Sequence, residues 1–197
     1  MTRHVLISVS DYTGLAELTK ELSQLGFVLV ASLGNAIYLE KHRVPVTRIQ
    51  KITKYKPMMM PRGIKSIHHL IFAGILADRK NKAHMREIER YGITPFDMVV
   101  CNFYPFKKMV TTGAAERETM QSIDIGGPAM VRCAAKNYKN VIVVTDTHDY
   151  SKLLRILKKN GSIPLETRRR LAIKAFRYTK NYDDTIAKYL TSIHSLR

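Results

Sequence analysis

The segment around Asp124 places a carboxylate and a lysine on one predicted helix, where chemistry could occur. Asp124 stands just before Gly126-Gly127-Pro128, a sequence typical of a helix start. A carboxylate is favoured at the positive N-terminal end of a helix, and Lys136 follows about two turns or more along it. The structural alternative makes Asp124 a helix cap and Lys136 an ordinary exposed residue.

Lys65 is a second candidate, because it stands between apolar neighbours with His68 three residues on. A lysine that is partly desolvated can donate to an oxyanion or have a lowered pKa. The histidines that follow could instead be packing residues or metal ligands. Since no acidic residue lies between Gly63 and Ala77, we expect no metal site here.

Asn102 and Tyr104 follow a strand-like apolar run, and Pro105 ends that run. Polar side chains at the carboxyl end of a strand are well placed to form a binding or catalytic site. The alternative is that the tyrosine only covers the core.

Two hydroxyl-rich turns also lie between a predicted strand and a predicted helix. Residues 8–14 contain Ser10, Asp11 and Tyr12, and residues 32–35 contain Gly34. The free N–H groups at a helix start bind anions, and glycine lets the backbone approach a phosphate or ribose closely. The alternative for both segments is a plain capping turn.

Alternating strand and helix patterns must position these residues. The predicted strands are residues 5–9, 27–31, 45–49, 97–101 and 141–144. A parallel α/β sheet flanked by helices is therefore expected, with the ligand loops at the carboxyl ends of the strands. We predict one domain, residues 1–197, with an α/β core over residues 1–160.

Residues 161–197 are predicted to form an appended helical segment, helical from Pro164 to about Ile193, with a possible break near Asn181. Residues 51–62, which contain prolines and three methionines, are predicted to be an irregular loop. No internal repeat and no linker is evident.

The composition of the 197 residues is that of a globular protein, with 45% hydrophobic and 25% charged residues. No apolar run is long enough to span a membrane. The N-terminus lacks a signal-peptide cleavage site. We therefore expect a cytoplasmic protein in which Cys101 and Cys133 are free thiols.

The net charge is +17, from 33 Lys and Arg against 16 Asp and Glu. This excess favours anionic partners. No zinc-finger spacing, RNA-recognition signature or basic zipper is present, and the basic residues are dispersed apart from a cluster between Arg168 and Lys180. A phosphorylated small molecule is therefore the preferred ligand, and nucleic acid is the alternative.

Four segments, in order and spacing, resemble the IMP cyclohydrolase domain of the bifunctional purine-biosynthesis enzyme that also carries a transformylase domain. These segments are residues 8–15, residues 102–106, residues 123–128 with 134–137, and residues 167–183. The resemblance implies a methylglyoxal-synthase-like fold. It also implies ring closure and dehydration of formylaminoimidazole carboxamide ribotide (FAICAR) to IMP and water, without metal or cofactor.

Matching motif to motif, the resemblance implies four catalytic residues: Lys65, Tyr104, Asp124 and Lys136. Asp124 and Lys136 would transfer protons, Lys65 would stabilise the developing oxyanion, and Tyr104 would donate to or orient the substrate. The implied substrate-binding positions are Ser10, Asp11, Tyr12, Ser32, Gly34, Asn35, Arg62, Ser66, His68, Asn102, Ile125 and Asn137.

The sequence departs from the family pattern in the loops that would hold phosphate and ribose. Tyr12 stands where the family usually has Lys, and its Ser-Gly-Gly-Thr turn is Ser-Leu-Gly-Asn at residues 32–35. The Gly-Arg pair is inverted at residues 62–63, and the His-Pro pair is His-His at residues 68–69. These changes bear on affinity and nucleotide selectivity more than on the type of reaction.

The rival function is a methylglyoxal-synthase-like regulatory module that binds a nucleotide or phosphate without catalysis. The resemblance runs almost to Arg197, where the transformylase domain would begin. The sequence is therefore expected to be either a stand-alone cyclohydrolase or the cyclohydrolase part of a bifunctional enzyme. A homodimer is compatible with an enzyme of this size.

Overall fold

The computed structural model describes residues 2–56, 58–59 and 66–194. Its centre is a parallel sheet of five strands in the order β3-β2-β1-β4-β5. The strands are β1 (Arg3–Ser8), β2 (Phe27–Ala31), β3 (Thr47–Arg48), β4 (Met98–Cys101) and β5 (Ile142–Val144). The parallel α/β sheet expected from the sequence is confirmed, and each strand falls within or beside its predicted range.

Helices pack on both faces of the sheet because successive strand residues point to opposite sides. The helices are α1 (Leu15–Gln24), α2 (Leu33–Lys41), α3 (Gln50–Thr53), α4 (His69–Leu76), α5 (Lys82–Arg90), α6 (Phe106–Thr111), α7 (Glu116–Gln121), α8 (Gly126–Lys136), α9 (Tyr150–Asn160) and α10 (Leu165–His194). On one face, Val5 and Ile7 share a core with α1, α2 and α9. On the other face, Leu6 and Val99 share a core with α4, α8 and α10.

The direction of strand order reverses beside β1, which pairs with β2 on one side and with β4 on the other. In the register, Leu6 lies between Val30 and Val99. In open α/β sheets the crevice at such a reversal, outside the carboxyl ends of the strands, is where ligands bind. The topology therefore predicts a ligand site between the loops that follow β1 and β4.

Helix α10 runs from Leu165 to His194, so the break considered near Asn181 is wrong. Asn181 is exposed, and its carbonyl accepts a hydrogen bond from Thr185 Oγ1 four residues on (2.8 Å). An exposed asparagine costs a helix only a fraction of a kcal/mol, roughly 0.5. The predicted C-terminal helical segment is confirmed, and Ala172 and Ala175 bury it in the second core.

Three other helical stretches were not predicted from the sequence. α3 occupies the start of the segment predicted to be an irregular loop, and residues 57 and 60–62 of that segment lie outside the described residues. α4 is a nearly continuous apolar run, which has no helical periodicity to detect. α6 and α7 are single short helices between β4 and α8.

The edge of the sheet where the strands begin is closed by ionic and amide groups. Asp97 Oδ2 accepts a hydrogen bond from the N–H of His4 (2.7 Å), and its Oδ1 pairs with Arg79 Nη1 (2.6 Å). Asn137 Nδ2 donates to the carbonyls of Ile75 (2.7 Å) and Ala77 (3.0 Å). These bonds fix the end of α8 to the end of α4.

Both cysteines are free thiols, with Cys101 buried and Cys133 half-buried. Burial raises the pKa of each thiol. Within the described part of the chain, no helix is both long and apolar enough to cross a membrane.

Candidate active site

A cavity of about 710 Å³ lies at the carboxyl ends of the strands, where the strand order reverses. The loops after β1, β2 and β4 form its walls together with the start of α8. Ten of the residues that the sequence singled out line it: Ser10, Tyr12, Ser32, Gly34, Asn35, Ser66, Asn102, Tyr104, Asp124 and Ile125. The structure therefore brings together residues from five separate segments of the chain.

Asn102 joins the loop after β4 to the loop after β1. Its Oδ1 accepts hydrogen bonds from the N–H of Ser10 (2.7 Å), from Ser10 Oγ (3.0 Å) and from the N–H of Asp11 (2.8 Å). The single hydroxyl hydrogen of Ser10 is shared with the carbonyl oxygen of Phe103, which lies closer to Ser10 Oγ (2.5 Å). The amide oxygen of Asn102 is thus fully engaged within the protein, and the residue holds the two loops at a fixed separation.

Asn35 connects α2 to the same loop. Its Oδ1 accepts from the N–H of Val9 (2.6 Å), and its Nδ2 donates to the carbonyl of Val9 (2.8 Å) and to the hydroxyl of Tyr12 (3.1 Å). The side chain is only 3% exposed. Its three bonds make Asn35 part of the cavity wall, a positional role that the sequence did not reveal.

The first turn of α2 presents backbone groups to the cavity. Gly34 is exposed, and a Cβ placed on it would lie 3.8 Å from the Tyr12 hydroxyl, which is an ordinary contact. The first N–H groups of any helix have no acceptor within the helix. This turn therefore offers donors to an anionic group, with the Tyr12 hydroxyl nearby.

Asp124 sits at the start of α8, where its Oδ1 accepts from the N–H of Gly127 (2.8 Å). Its own N–H donates to the hydroxyl of Tyr182 (2.8 Å). A Cβ on Gly127 would overlap with Asp124 Oδ2 and lie 3.0 Å from Phe103. The carboxylate is both a cap for α8 and a lining group of the cavity. The two interpretations of Asp124, as a helix cap and as a site residue, are therefore compatible.

Tyr104 and Ile125 form the open side of the cavity, with 37% and 65% of their surfaces exposed. Ser66 is buried against the start of α8, because a Cβ on Gly126 would lie 3.0 Å from its Oγ. Lys65 precedes Ser66 in the chain. Lys65 and Arg62 themselves lie outside the described residues.

The structure does not bring Lys136 and Asn137 to the cavity. Lys136 is the last residue of α8 and is exposed. It follows Gly126 by ten residues, which is about 15 Å along a helix at about 1.5 Å per residue. Asn137 lies beside it and binds the end of α4, as described above. Both predicted site residues therefore belong to the opposite edge of the sheet.

His68 and Asp11 lie next to the cavity and not in its wall. His68 Nδ1 caps α4 by accepting from the N–H of Leu70 (3.3 Å), and its ring lies 4.5 Å from that of His69. Burial lowers the pKa of His68. Asp11 accepts from the N–H of Thr13 (2.9 Å), and its hydrogen bonds with Thr13 lower the pKa of this exposed carboxyl.

Sequence reasoning missed two groups of site residues. Gln121, Ser122 and Ile123 line the cavity from the turn between α7 and α8. Tyr178 and Tyr182 support its loops from behind, through hydrogen bonds to Phe103 and Asp124. The spacing of four residues between two tyrosines on a helix was the available signal, since such residues lie on one face.

Among the described residues that line the cavity, Asp124 is the one with a charged side chain. The other polar groups there are hydroxyls, amides and the backbone of two helix starts. In the described part of the chain, no group of three His, Cys, Asp or Glu side chains could hold a metal ion. The chemistry that this wall supports is hydrogen bonding to a polar ring and proton exchange with a carboxylate.

Comparison with known proteins identifies two matching family models. Residues 14–129 match the MGS-like domain, and residues 134–196 match the AICARFT/IMPCHase bienzyme. A bifunctional purine biosynthesis protein PurH from Persephonella marina is 46% identical over 190 residues, which are 96% of this chain and 37% of that protein. The PurH of Lactococcus lactis subsp. lactis is 41% identical over 191 residues, 97% of this chain and 37% of that protein.

A solved structure shows the same fold. The crystal structure of ForH superposes with a TM-score of 0.81 at 32% sequence identity, covering 95% of this chain and 98% of that one. The chain spans slightly more than a third of the length of the curated relatives it matches.

Proposed function

Since the chain belongs to the MGS-like domain family and corresponds to the N-terminal region of the PurH proteins, we propose that it is an IMP cyclohydrolase. The reaction converts FAICAR to IMP and water in purine biosynthesis. The observation that carries the proposal is the cavity at the strand-order reversal, which unites Asp124 and Tyr104 with two helix starts. Its volume of about 710 Å³ is within the range of about 300–1,000 Å³ that is usual for small-molecule sites.

The reaction makes modest demands on a protein because both reacting groups belong to one molecule. The carboxamide nitrogen bonds to the formyl carbon and loses one proton, and the formyl oxygen becomes a hydroxyl. That hydroxyl then leaves as water with the proton of the former formamide nitrogen, which forms the ring C=N bond. Holding the substrate in the closing rotamer removes much of the entropic barrier.

Asp124 is assigned the proton transfers. Its carboxylate can take the proton of the attacking nitrogen and return a proton to the departing hydroxyl. Tyr104 lies on the wall of the same cavity and would orient the carboxamide or donate to the formyl oxygen. Lys65, next in the chain to the lining residue Ser66, would stabilise the charge that develops on that oxygen.

Lys136 receives no part in these steps. The family resemblance implies a proton transfer for it, but a helix length separates its backbone from the cavity. Asp124 is therefore the proton-transfer group that we assign among the described residues.

The phosphate and ribose are placed at the start of α2. Its N–H groups around Gly34 act as donors, and the hydroxyls of Ser32 and Tyr12 lie beside them. Arg62 would add a cation to this end of the substrate. The net charge of +17 favours the approach of the phosphorylated substrate.

The decisive experiment is an absorbance assay of IMP formation from FAICAR by the purified chain, with a bifunctional PurH as the positive control. We expect turnover that requires no added metal, persists in EDTA and falls by at least about a hundredfold in Asp124→Asn. An inactive chain that still binds IMP in calorimetry would instead be a nucleotide-binding module of the MGS-like type. Tight, salt-dependent binding of oligonucleotides without turnover would indicate a nucleic-acid protein.

The proposal also includes a cytoplasmic location and no resident cofactor. A homodimer is part of it too, and sedimentation at micromolar concentration would measure that assembly.

A further inference from the structure

Two tyrosines of α10 reach the two loops that carry the proposed reacting groups. The hydroxyl of Tyr182 accepts a hydrogen bond from the N–H of Asp124 (2.8 Å), and the hydroxyl of Tyr178 accepts one from the N–H of Phe103 (2.9 Å). Phe103 directly precedes Tyr104. One helix therefore holds the backbone of both loops by the same kind of bond.

The rings of these tyrosines are packed as well as hydrogen-bonded. Phe103 is 4% exposed, and its ring centre lies 4.4 Å from that of Tyr178 and 5.0 Å from that of Tyr182. Burial raises the pKa of both phenols, that of Tyr182 to about 12. Near neutral pH each hydroxyl is therefore protonated, with its oxygen engaged by a backbone N–H.

The spacing of the two tyrosines fixes the separation of the two loops. Residues four apart on a helix lie on one face about 6 Å from each other. α10 is anchored independently of the site by Ala172 and Ala175 in the second core. Asp124 and Tyr104 thus take their relative position from a rigid helix that contributes no lining residue to the cavity.

We propose that Tyr182 and Tyr178 are positioning residues for ring closure, with Tyr182 acting on Asp124 and Tyr178 acting on the loop of Tyr104. The inference rests on the proposed cyclohydrolase function. Neither residue needs to touch the substrate. Each keeps one partner of the proton-transfer geometry in place, and small displacements of such groups slow a reaction steeply.

The test removes single hydroxyl groups. Tyr182→Phe and Tyr178→Phe keep the aromatic packing and delete only the acceptor for the backbone N–H. We expect kcat to fall about tenfold in each, with KM changed less than about twofold, because the substrate contacts remain while the reacting groups lose alignment. Hydrogen exchange at the amides of Asp124 and Phe103 should accelerate in the corresponding variant.

Tyr189→Phe is the matched control. It makes the same change on the same helix, where the ring packs edge-on against Phe106 (5.6 Å). We expect its kcat to equal that of the wild type. If Tyr182→Phe and Tyr178→Phe have the same kcat as the control Tyr189→Phe and the wild type, at equal folded fraction, the inference is overturned.

The two proposals fail in different ways. A wild-type chain without turnover refutes the cyclohydrolase proposal and, with it, the role in ring closure. If the wild type turns over and the amides of Asp124 and Phe103 exchange no faster in the tyrosine variants, the positioning role alone is refuted.

Discussion

The parallel sheet has one edge formed by the amino ends of its strands and another formed by their carboxyl ends. These two edges use polar groups in opposite ways. At the edge where strands begin, Asp97, Arg79 and Asn137 bond to one another or to the backbone. At the edge where strands end, hydroxyls, helix starts and the Asp124 carboxylate surround a cavity. α8 connects the two edges, with Asp124 before its first turn and Lys136 in its last. Position along one helix therefore separates a residue that lines the cavity from residues at the opposite edge of the sheet.

The strongest test of this contrast is Asp124→Asn. Asparagine retains an oxygen that can accept from the N–H of Gly127, so the cap of α8 should survive. We expect kcat to fall by about 10²- to 10⁴-fold, the usual contribution of a general acid–base group, with an unchanged melting temperature. Steady-state kinetics and calorimetry measure the two quantities. A kcat close to the wild-type value would remove Asp124 from the mechanism.

The opposite edge should respond to Asp97→Ala in the opposite manner. The change leaves Arg79 half-buried without its carboxylate partner and deprives the N–H of His4 of its acceptor. We expect a loss of about 2–3 kcal/mol in the free energy of unfolding, less than for a fully buried pair because both side chains keep some exposure. Urea titration measures it, and kcat per folded molecule should not change.

Glu40→Ala is the control for that variant, because the Glu40–Arg48 pair is exposed and should matter little. An Asp97→Ala protein that is stable but inactive would break the proposed division between the edges.

Adjacent glycines at the start of α8 provide a finer test. Gly127→Ala should cost about 1–3 kcal/mol of stability and also lower kcat, because the new methyl group displaces Asp124 or Phe103. Gly126→Ala should do less, since its nearest contact is Ser66 Oγ at 3.0 Å. Unfolding titrations and kinetics on the pair would show the difference. Equal effects of the two substitutions would mean that close packing against Asp124 does not contribute to stability or kcat.

The edge where strands begin should also have its own pH response through His4. Burial lowers the pKa of His4 in the folded protein, and the nearby Arg79 lowers it further against the opposing effect of Asp97. Below the unfolded pKa of about 6.5 the unfolded chain takes up a proton that the folded chain resists, so stability should decline as pH falls through that value. The decline in melting temperature between pH 7.5 and 5.5 should be smaller in His4→Gln. If the melting temperature declines equally in the wild type and in His4→Gln, other histidines cause the decline.

The smallest effect is expected for Lys136→Ala. An exposed residue at the far end of α8 should alter kcat by less than about threefold, comparable to the roughly 0.5 kcal/mol of a typical surface substitution. A large loss of kcat at full folding would contradict the geometric argument and restore the proton transfer that the family resemblance implies.

The sequence allowed the sheet to be predicted well because its strands are short apolar runs bounded by turn residues. It also placed Asp124, Tyr104 and the two glycine-containing loops at the correct edge, since parallel strands bring their carboxyl ends together. It did not separate Asp124 from Lys136, because twelve residues of spacing in a motif do not show which end of a helix faces a ligand. It also did not show the supporting tyrosines, which approach the site from an element more than fifty residues away in sequence.

Asn102 and Asn35 illustrate a second limit. Their side chains were predicted as nucleotide contacts, and the structure shows their amide groups bonded to the backbone of residues 9–11. An asparagine in a polar turn looks the same in sequence whether it binds a ligand or the backbone. Only the surrounding contacts distinguish the two uses.

The hydrogen bonds of Asn35 also hold the turn at residues 32–35 against the loop after β1. An amide carries its donor and acceptor on separate atoms, so it can pair with the N–H and the carbonyl of Val9 as a neighbouring strand would. A hydroxyl group, by contrast, carries both functions on one atom. Asn35 therefore gives this part of the cavity a wall that is ordered before a ligand arrives. Binding would then require little further loss of conformational entropy from this loop, which is the thermodynamic benefit of preorganisation.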